Sequence, residues 1–298
     1  MKRLIVSLII FVTIPFTYAQ QTYVPDDNFE QALIDLGYDD VLDDYVITDS
    51  INTVTTLDVS NDSISDLTGI EDFTALTELS CYINQLTNLD VSSNTALTYL
   101  HCAVNQLTSL DVSSNTGLTN LNCSNNDLTS LDISSNTSLT NLSCSNNPLT
   151  SLDVSSNTGL TNLNCSNNDL TSLDVSSNTA LTHLFLYYND LTSLNLTTNA
   201  ALTNLQFQYN QLTSIDVSSN TALTQLWCRS NQLTSLDVSA NTALAILNCS
   251  NNDLTNLDVS NNTALAHIDC HENQLTSLDV SNNTSLIWLQ CYGNQLNY

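Results

Sequence analysis

From Leu76 onward the chain repeats itself every 21 residues, and that period leaves few folds open. The leading leucines stand at 76, 97, 118, 139, 160, 181, 202, 223, 244, 265 and 286. Ten complete copies fill residues 76–285, and a partial copy runs over 286–298. The consensus is L-T-x-L-x-C-x-x-N-x-L-T-S-L-D-V-S-x-N-T-x. A unit this short cannot bury an apolar face by itself, so copies must stack, each covering the next. Neighbouring residues of an extended segment face opposite ways. Leu100 and Cys102 therefore point inward, and Tyr99, His101 and Ala103 outward. The second half has the same grammar, with Leu110 and Val112 inward and Asp111 outward. At an inter-strand rise of ~4.8 Å, ten coils make a rod on the order of 50 Å long.

Within the consensus, L-x-x-L-x-C-x-x-N-x-L is a leucine-rich-repeat pattern with Cys in one Leu slot. The expected fold is a leucine-rich-repeat solenoid of the α/β repeat class, mostly β with little helix. It should carry a parallel β-sheet on one side, extended segments on the other and an N-terminal helical cap. Two asparagine columns, one from Asn84 and one from Asn94, read as turn residues whose amides satisfy loop backbone. The cysteines fall on one inward column, at 81, 102, 123, 144, 165, 228, 249, 270 and 291. Leu186 and Phe207 take the same slot, so the position wants a hydrophobe. In-register side chains are poorly oriented for disulfides, and CxxC-like metal spacing is absent. A buried thiol ladder is expected.

Residues 1–19 read as a cleaved signal peptide: Lys2 and Arg3, an apolar run from Leu4 to Phe16, then small residues before a cut after Ala19. Residues 20–53 form the expected cap, with one helix over 25–36. Pro25 suits its first position, Asp26 and Asp27 its positive end, Gly37 its stop, and Phe29, Leu33 and Leu36 a common buried face. The solenoid occupies 54–298, beginning with an atypical repeat at 54–75. At its far end the last coil ends in "GNQLNY", which would leave an apolar layer exposed.

The full chain has a formal charge of −27. Beyond residue 19, Arg229 alone among lysines and arginines faces all 30 acids. Nucleic acid as a partner is excluded, because no cationic surface exists to release counterions. No membrane insertion is expected either, since no second apolar run could span a bilayer. The second face carries Asp at 90, 111, 132, 153, 174, 216, 237, 258 and 279, with Asn195 the exception. It reads as a solvated, aggregation-resistant face. Divalent cations such as Ca²⁺ bridging that column are the alternative, poorly served by a single row of carboxylates.

The frame resembles the internalins, bacterial surface proteins, and within them the kind with 21-residue repeats and a cysteine ladder. The likeness runs from about Val54 to the end. "LDVSNDSISDLTGIEDFTAL" is similar to the 22-residue internalin repeat. The leader "YVPDDNFEQALIDLGYDDVLDDYVIT" together with the repeats also resembles secreted leucine-rich-repeat proteins of Bacteroidetes-type bacteria. The resemblance implies adhesion or surface binding, and a further sorting or anchoring domain of the kind relatives often carry after the last coil; leucine-rich-repeat proteins commonly bind with their strand face.

That face is where the copies differ. Numbering each copy from its leading leucine, every Trp, every His and Arg229 within the repeats lie at positions three to eight. Three adjacent coils are richest: His183, Phe185, Tyr187 and Tyr188; then Gln206, Gln208 and Tyr209; then Gln225, Trp227 and Arg229. Aromatic planes and amides suit sugar rings, and Trp, Tyr and Arg suit a protein hot spot. A protein or carbohydrate ligand on this strand face is the expected partner. The competing readings are scattered aromatics without a ligand, and a passive spacer or surface coat. His267, Asp269, His271 and Glu272 offer metal-ligand chemistry, but Asn248 and Gln290 beside them add no strong ligand. They read as isolated surface polar groups. No nucleophile–base pair, carboxylate pair or phosphate loop is present, so neither an enzyme nor a cofactor is expected.

Overall fold

The computed structural model describes residues 19–296. The expected signal peptide falls outside the described residues except for Ala19. Among them, no helix is long and apolar enough to cross a membrane.

Twelve strands form one parallel sheet in sequence order, from β3 (Thr56–Asp58) to β14 (Trp288–Gln290). Each strand is three residues long, inward only at its middle residue. Pairing joins each residue to its equivalent one copy on, as in Tyr99↔Asn120 and Leu100↔Leu121. The first pair is offset by the longer initial unit, Thr56↔Glu78. The register is therefore the sequence period itself. The opposite side has no named strand among the described residues, only one bridge, Asp90↔Asp111. The leucines, valines and cysteines between the two sides form one continuous core.

Strands so short leave most of each coil's backbone without ladder partners, and buried backbone groups must be partnered. The asparagine columns do this. Asn126 donates through Nδ2 to the Cys123 carbonyl of its own coil and the Cys102 carbonyl of the preceding one, both at 3.1 Å. Its Oδ1 accepts from the Leu107 amide of the preceding coil at 3.0 Å. The second column works on the other turn, where Asn115 donates to Val91 O and Asn94 O at 3.0 and 2.9 Å. The first column thus closes its own turn and fastens it to the coil before, and the second fastens its turn to the coil before.

The thiols are free, eight of them buried and Cys291 partly so. Burial pushes Cys123, Cys165 and Cys228 up to about 12. With no solvent to stabilise a thiolate, the column acts as a stack of small hydrophobes.

The cap is more than a helix. β1 (Gln21–Tyr23) pairs antiparallel with β2 (Tyr45–Ile47), and α1 (Asp27–Asp35) lies between them in sequence. A short α2 (Thr48–Ile51) follows β2. Asp26, not Pro25, sets the helix start: its Oδ1 accepts from the Asn28 and Phe29 amides. Pro25 lies outside the helix because the capping carboxylate takes the boundary. Oδ2 of Asp26 accepts from Ser65 N, Ser65 Oγ and Asp66 N, which bolts the helix end to the first coil. Burial raises the Asp26 pKa, but these hydrogen bonds outweigh it and hold the carboxyl below its usual range. Phe29 and Leu33 are buried as expected, but Leu36 is 46% exposed. It is the C-cap, past the last helical residue, and the chain turns away after it at Gly37 (φ +81°). Phe29 meets Phe73 of the first coil at 6.4 Å. Gly69 (φ +104°) lets the cap approach, since a Cβ there would lie 2.9 Å from the Tyr23 carbonyl.

At the other end Leu286, Cys291 and Leu296 are only partly buried, and Ile287 and Leu289 are exposed.

Two predictions follow from this frame. Asn126→Ala orphans the Leu107 amide and leaves the Cys102 and Cys123 carbonyls with one side-chain donor each, from Asn105 and Asn147, and should destabilise by about 1–3 kcal/mol. Asn141→Ala, which loses a hydrogen bond to the Thr140 side chain and none to backbone among the described residues, should stay within about 0.5 kcal/mol of wild type in denaturant unfolding. A thiol reagent should modify at most Cys291 in the native protein at neutral or mildly alkaline pH, and all nine cysteines once denaturant is added.

Candidate functional site on the strand face

The three coils singled out by their aromatics stand side by side. β9 (His183–Phe185), β10 (Asn204–Gln206) and β11 (Gln225–Trp227) pair in register. This makes one row of His183, Asn204 and Gln225, and another of Phe185, Gln206 and Trp227. Asn204, absent from the expected set, ties the rows together: it donates to Gln225 Oε1 at 3.3 Å and accepts from Gln206 Nε2 at 3.1 Å. His183 meets Phe185 at 6.2 Å and shares a 2.9 Å hydrogen bond with Thr182 Oγ1.

Tyr187, Gln208 and Arg229 continue the face past the strands, with Tyr188 and Tyr209 at the turn. Tyr188 and Tyr209 stack face to face at 4.2 Å and 4°. The Arg229 guanidinium lies 5.5 Å from the Tyr209 ring centre, within cation–π range. Tyr187 meets Tyr188 edge-on at 6.1 Å. Position eight of each copy is left-handed, φ between +52° and +57° from Ile83 to Glu272. Asn suits it and fills it at 125, 146, 167 and 251. Tyr188 and Tyr209 occupy it against backbone preference. Gln208 Oε1, Trp227 Nε1 and Arg229 Nε are buried polar atoms with no hydrogen-bond partner among the described residues.

The structure brings all ten expected residues together, but as a ridge rather than a pocket. A shallow trough lies on either side. One, of about 290 Å³, runs from Tyr99 to Phe185 over a floor of Asn120, Asn122, Asn141, Ser143, Asn162 and Asn164. The other, also about 290 Å³, lies between Trp227 and Trp288 over Ile246, Asn248, His267 and Asp269. Neither trough was legible by looking for large side chains. Small residues make the hollow, and large ones only wall it.

Charge separates the two sides of the rod. At positions three, five, seven and eight of the copies from Tyr99 to Asn251, no copy carries a carboxylate, and Arg229 is the single formal charge; Asp127, Asp169 and Asp190 stand at position ten, past the turn. In a chain with 30 acids, this is a neutral strip of amides and aromatics. Asp269 and Glu272 resume the negative charge beyond it.

His267, Asp269 and His271 differ from the expected isolated surface groups. Asp269 and His271 are buried and hydrogen-bonded to each other, because the neighbouring coils close over them. His271 Nε2 also bonds Asn251 Nδ2 at 3.1 Å, and the ring stacks on Tyr292 at 4.6 Å. Asp269 Oδ2 accepts from Asn248 at 3.2 Å. Both ring nitrogens of His271 are engaged within the protein. Among the described residues, no group of three or more His, Cys, Asp or Glu is placed to hold a metal.

The Asp column has a structural task beyond solvation. Each aspartate accepts the amide of the serine two residues on at 2.9 Å, as Asp132 does from Ser134. Hydrogen bonding by Ser134 holds the Asp132 carboxyl below its usual range. Asn195 performs the same closure from Oδ1 to Thr197 N at 3.1 Å, so the turn needs the oxygen and not the charge.

The repeat region resembles known proteins. Residues 48–157 match the family model of the leucine-rich-repeat domain of the endo-β-N-acetylglucosaminidase EndoS. Internalin J of Listeria monocytogenes serotype 4b (strain F2365) is 43% identical over 78 residues, 26% of this chain and 8% of that protein. The solved functional domain of InlJ from Listeria monocytogenes, described as including a cysteine ladder, superposes with a TM-score of 0.90 at 42% identity. That match covers 95% of this chain and 64% of the other. A leucine-rich-repeat protein of Leptospira interrogans follows at 0.79 and 26% identity, covering 84% and 69%. The chain therefore spans a small part of internalin J and about two-thirds of its solved domain. The expected Bacteroidetes-type likeness finds no support in these relatives.

The role of the Asp column is testable by melting. Asp132→Asn should melt at or slightly above wild type, having kept the cap and lost a like charge. Asp132→Ala should melt lower. Because the native pKa is depressed, the caps contribute fully above the ordinary carboxylate value of 3.8. Their contribution is lost as pH falls through the lowered native values, and the cap at Asn195 is insensitive to this.

This chain is a leucine-rich-repeat solenoid built on a cysteine ladder, and in that it is similar to InlJ.

Proposed function

We propose that the protein is a secreted or cell-surface binding module that recognises a protein or glycan ligand through the strand face of its solenoid, as an adhesin does. The likeness to InlJ supports a bacterial surface setting. Leucine-rich-repeat solenoids generally serve as binding surfaces on a rigid frame. The observation that carries the reading is the division of the rod into two unlike faces. The Asp face repeats one turn chemistry coil after coil. The strand face varies, and it gathers the aromatics, the amides and Arg229 while excluding carboxylates over eight coils. The EndoS match concerns that enzyme's repeat domain only, and no catalytic arrangement stands on this face.

The test uses residues 20–298 against a glycan array and a panel of cell-surface proteins, with the double variant Tyr187→Ala, Trp227→Ala alongside. A ligand is expected. If it sits on the ridge, the variant should lose roughly tenfold or more in affinity with a nearly unchanged melting temperature. Absence of any saturable ligand would overturn the binding module in favour of a spacer.

A further inference from the structure

Resting on that reading, we propose that the trough between Tyr99 and Phe185 is a subsite for a neutral glycan chain lying along the solenoid axis. The two aromatic walls are four coils apart, about 19 Å at the strand spacing. Between them the floor is made of amides in two rows. In the first row Asn120 and Asn162 meet Thr119 Oγ1 and Thr182 Oγ1 at 2.9 and 3.4 Å, and Asn141 donates to Thr140 Oγ1 at 3.0 Å. Asn122 Oδ1 accepts the Ser124 amide at 3.1 Å, and Asn164 Oδ1 the Ser166 amide at 3.2 Å. The Asn122 and Asn164 oxygens are thus engaged by backbone amides, and their Nδ2 groups have no hydrogen-bond partner among the described residues. The floor offers these two N–H donors two coils apart, in a hollow of about 290 Å³.

A sugar chain matches each part of this surface. Its hydroxyls accept from the amides, and its C–H faces stack on Tyr99 and Phe185. Its repeat along an extended chain suits roughly one ring per coil. Charge selects among sugars. The floor has no cation to pair with an acidic chain, and the nearest, Arg229, lies two coils beyond Phe185. The net charge of −27 opposes an anionic ligand further. A basic protein surface would instead be drawn to carboxylates, which this strip lacks.

The experiment titrates residues 20–298 with cellohexaose, chitohexaose and mannohexaose, and with hyaluronan fragments of equal length as the acidic counterpart. Two variants accompany it. Tyr99→Ala with Phe185→Ala removes the walls, and Asn122→Leu with Asn164→Leu keeps the volume and deletes the two donors. Asp132→Asn, on the opposite face of the rod and with its turn cap kept, is the control. At least one neutral hexasaccharide should bind, with affinity reduced roughly tenfold or more in each double variant and unchanged in the control. Tighter binding of hyaluronan than of any neutral chain would overturn the neutral class. Neutral binding unaffected by both double variants would overturn the trough. If no sugar binds but a surface protein does, the glycan subsite falls while the binding module stands. If neither binds, both fall.

Discussion

The structure depends on a side chain that behaves as backbone. A 21-residue coil with three-residue strands cannot satisfy its own turns, and in a stacked core water is not there to do so. The Asn84-to-Asn294 column supplies the missing partners. Each amide donates to carbonyls of two successive coils and accepts one amide, as Asn126 does. Closing a turn and joining it to its neighbour are therefore one event. This makes a single coil worthless alone and stable in a stack, which is the cooperativity expected of a one-dimensional fold. The cap obeys the same rule at the start of the rod, where Asp26 serves α1 with one oxygen and the first coil with the other.

Because turn closure and core filling consume the leucines, the cysteine slot and both asparagine columns, only a few positions per coil remain free to vary. Those at three, five, seven and eight point out from the strand side, and chemistry accumulates there by default. The aspartate position looks free but is not, since its oxygen caps a turn. That explains a column of like charges retained in spite of their mutual repulsion: the cap demands Asp or Asn, and solubility accounts for the preference for Asp. The acidic face is thus partly a by-product of turn chemistry, and the neutral strand face is its complement.

Much of this was legible in the sequence. The period gave register, core columns and the direction of every strand residue, because pairing joins equivalent positions. The thiol ladder followed from Leu186 and Phe207 sharing the cysteine slot. What escaped had no periodic signal. The β1–β2 pair is three residues a side, too short to show alternation. Asp26 and Pro25 compete for one helix boundary, and the winner is set by contacts to Ser65 and Asp66, 39 and 40 residues away. Asp269 and His271 read as surface groups because burial by Tyr292 and Asn251 comes from adjacent coils. The ridge was visible as large residues in successive copies. The troughs were not, since a hollow is defined by small residues between large ones in three dimensions.

A frame of this kind constrains the shape of anything it recognises. Successive strands place equivalent side chains at ~4.8 Å intervals, and the amide column holds that spacing rigidly. The floor residues of successive coils, Asn122 and Asn164 among them, are therefore offered as a fixed series. A compact ligand can engage a single step of it. An extended ligand engages several at little added ordering cost, because the protein side is already fixed. Weak individual contacts then sum along the axis, and selectivity comes from matching repeat to repeat. The walls at Tyr99 and Phe185 break that translation at both ends, so the surface has a length as well as a chemistry.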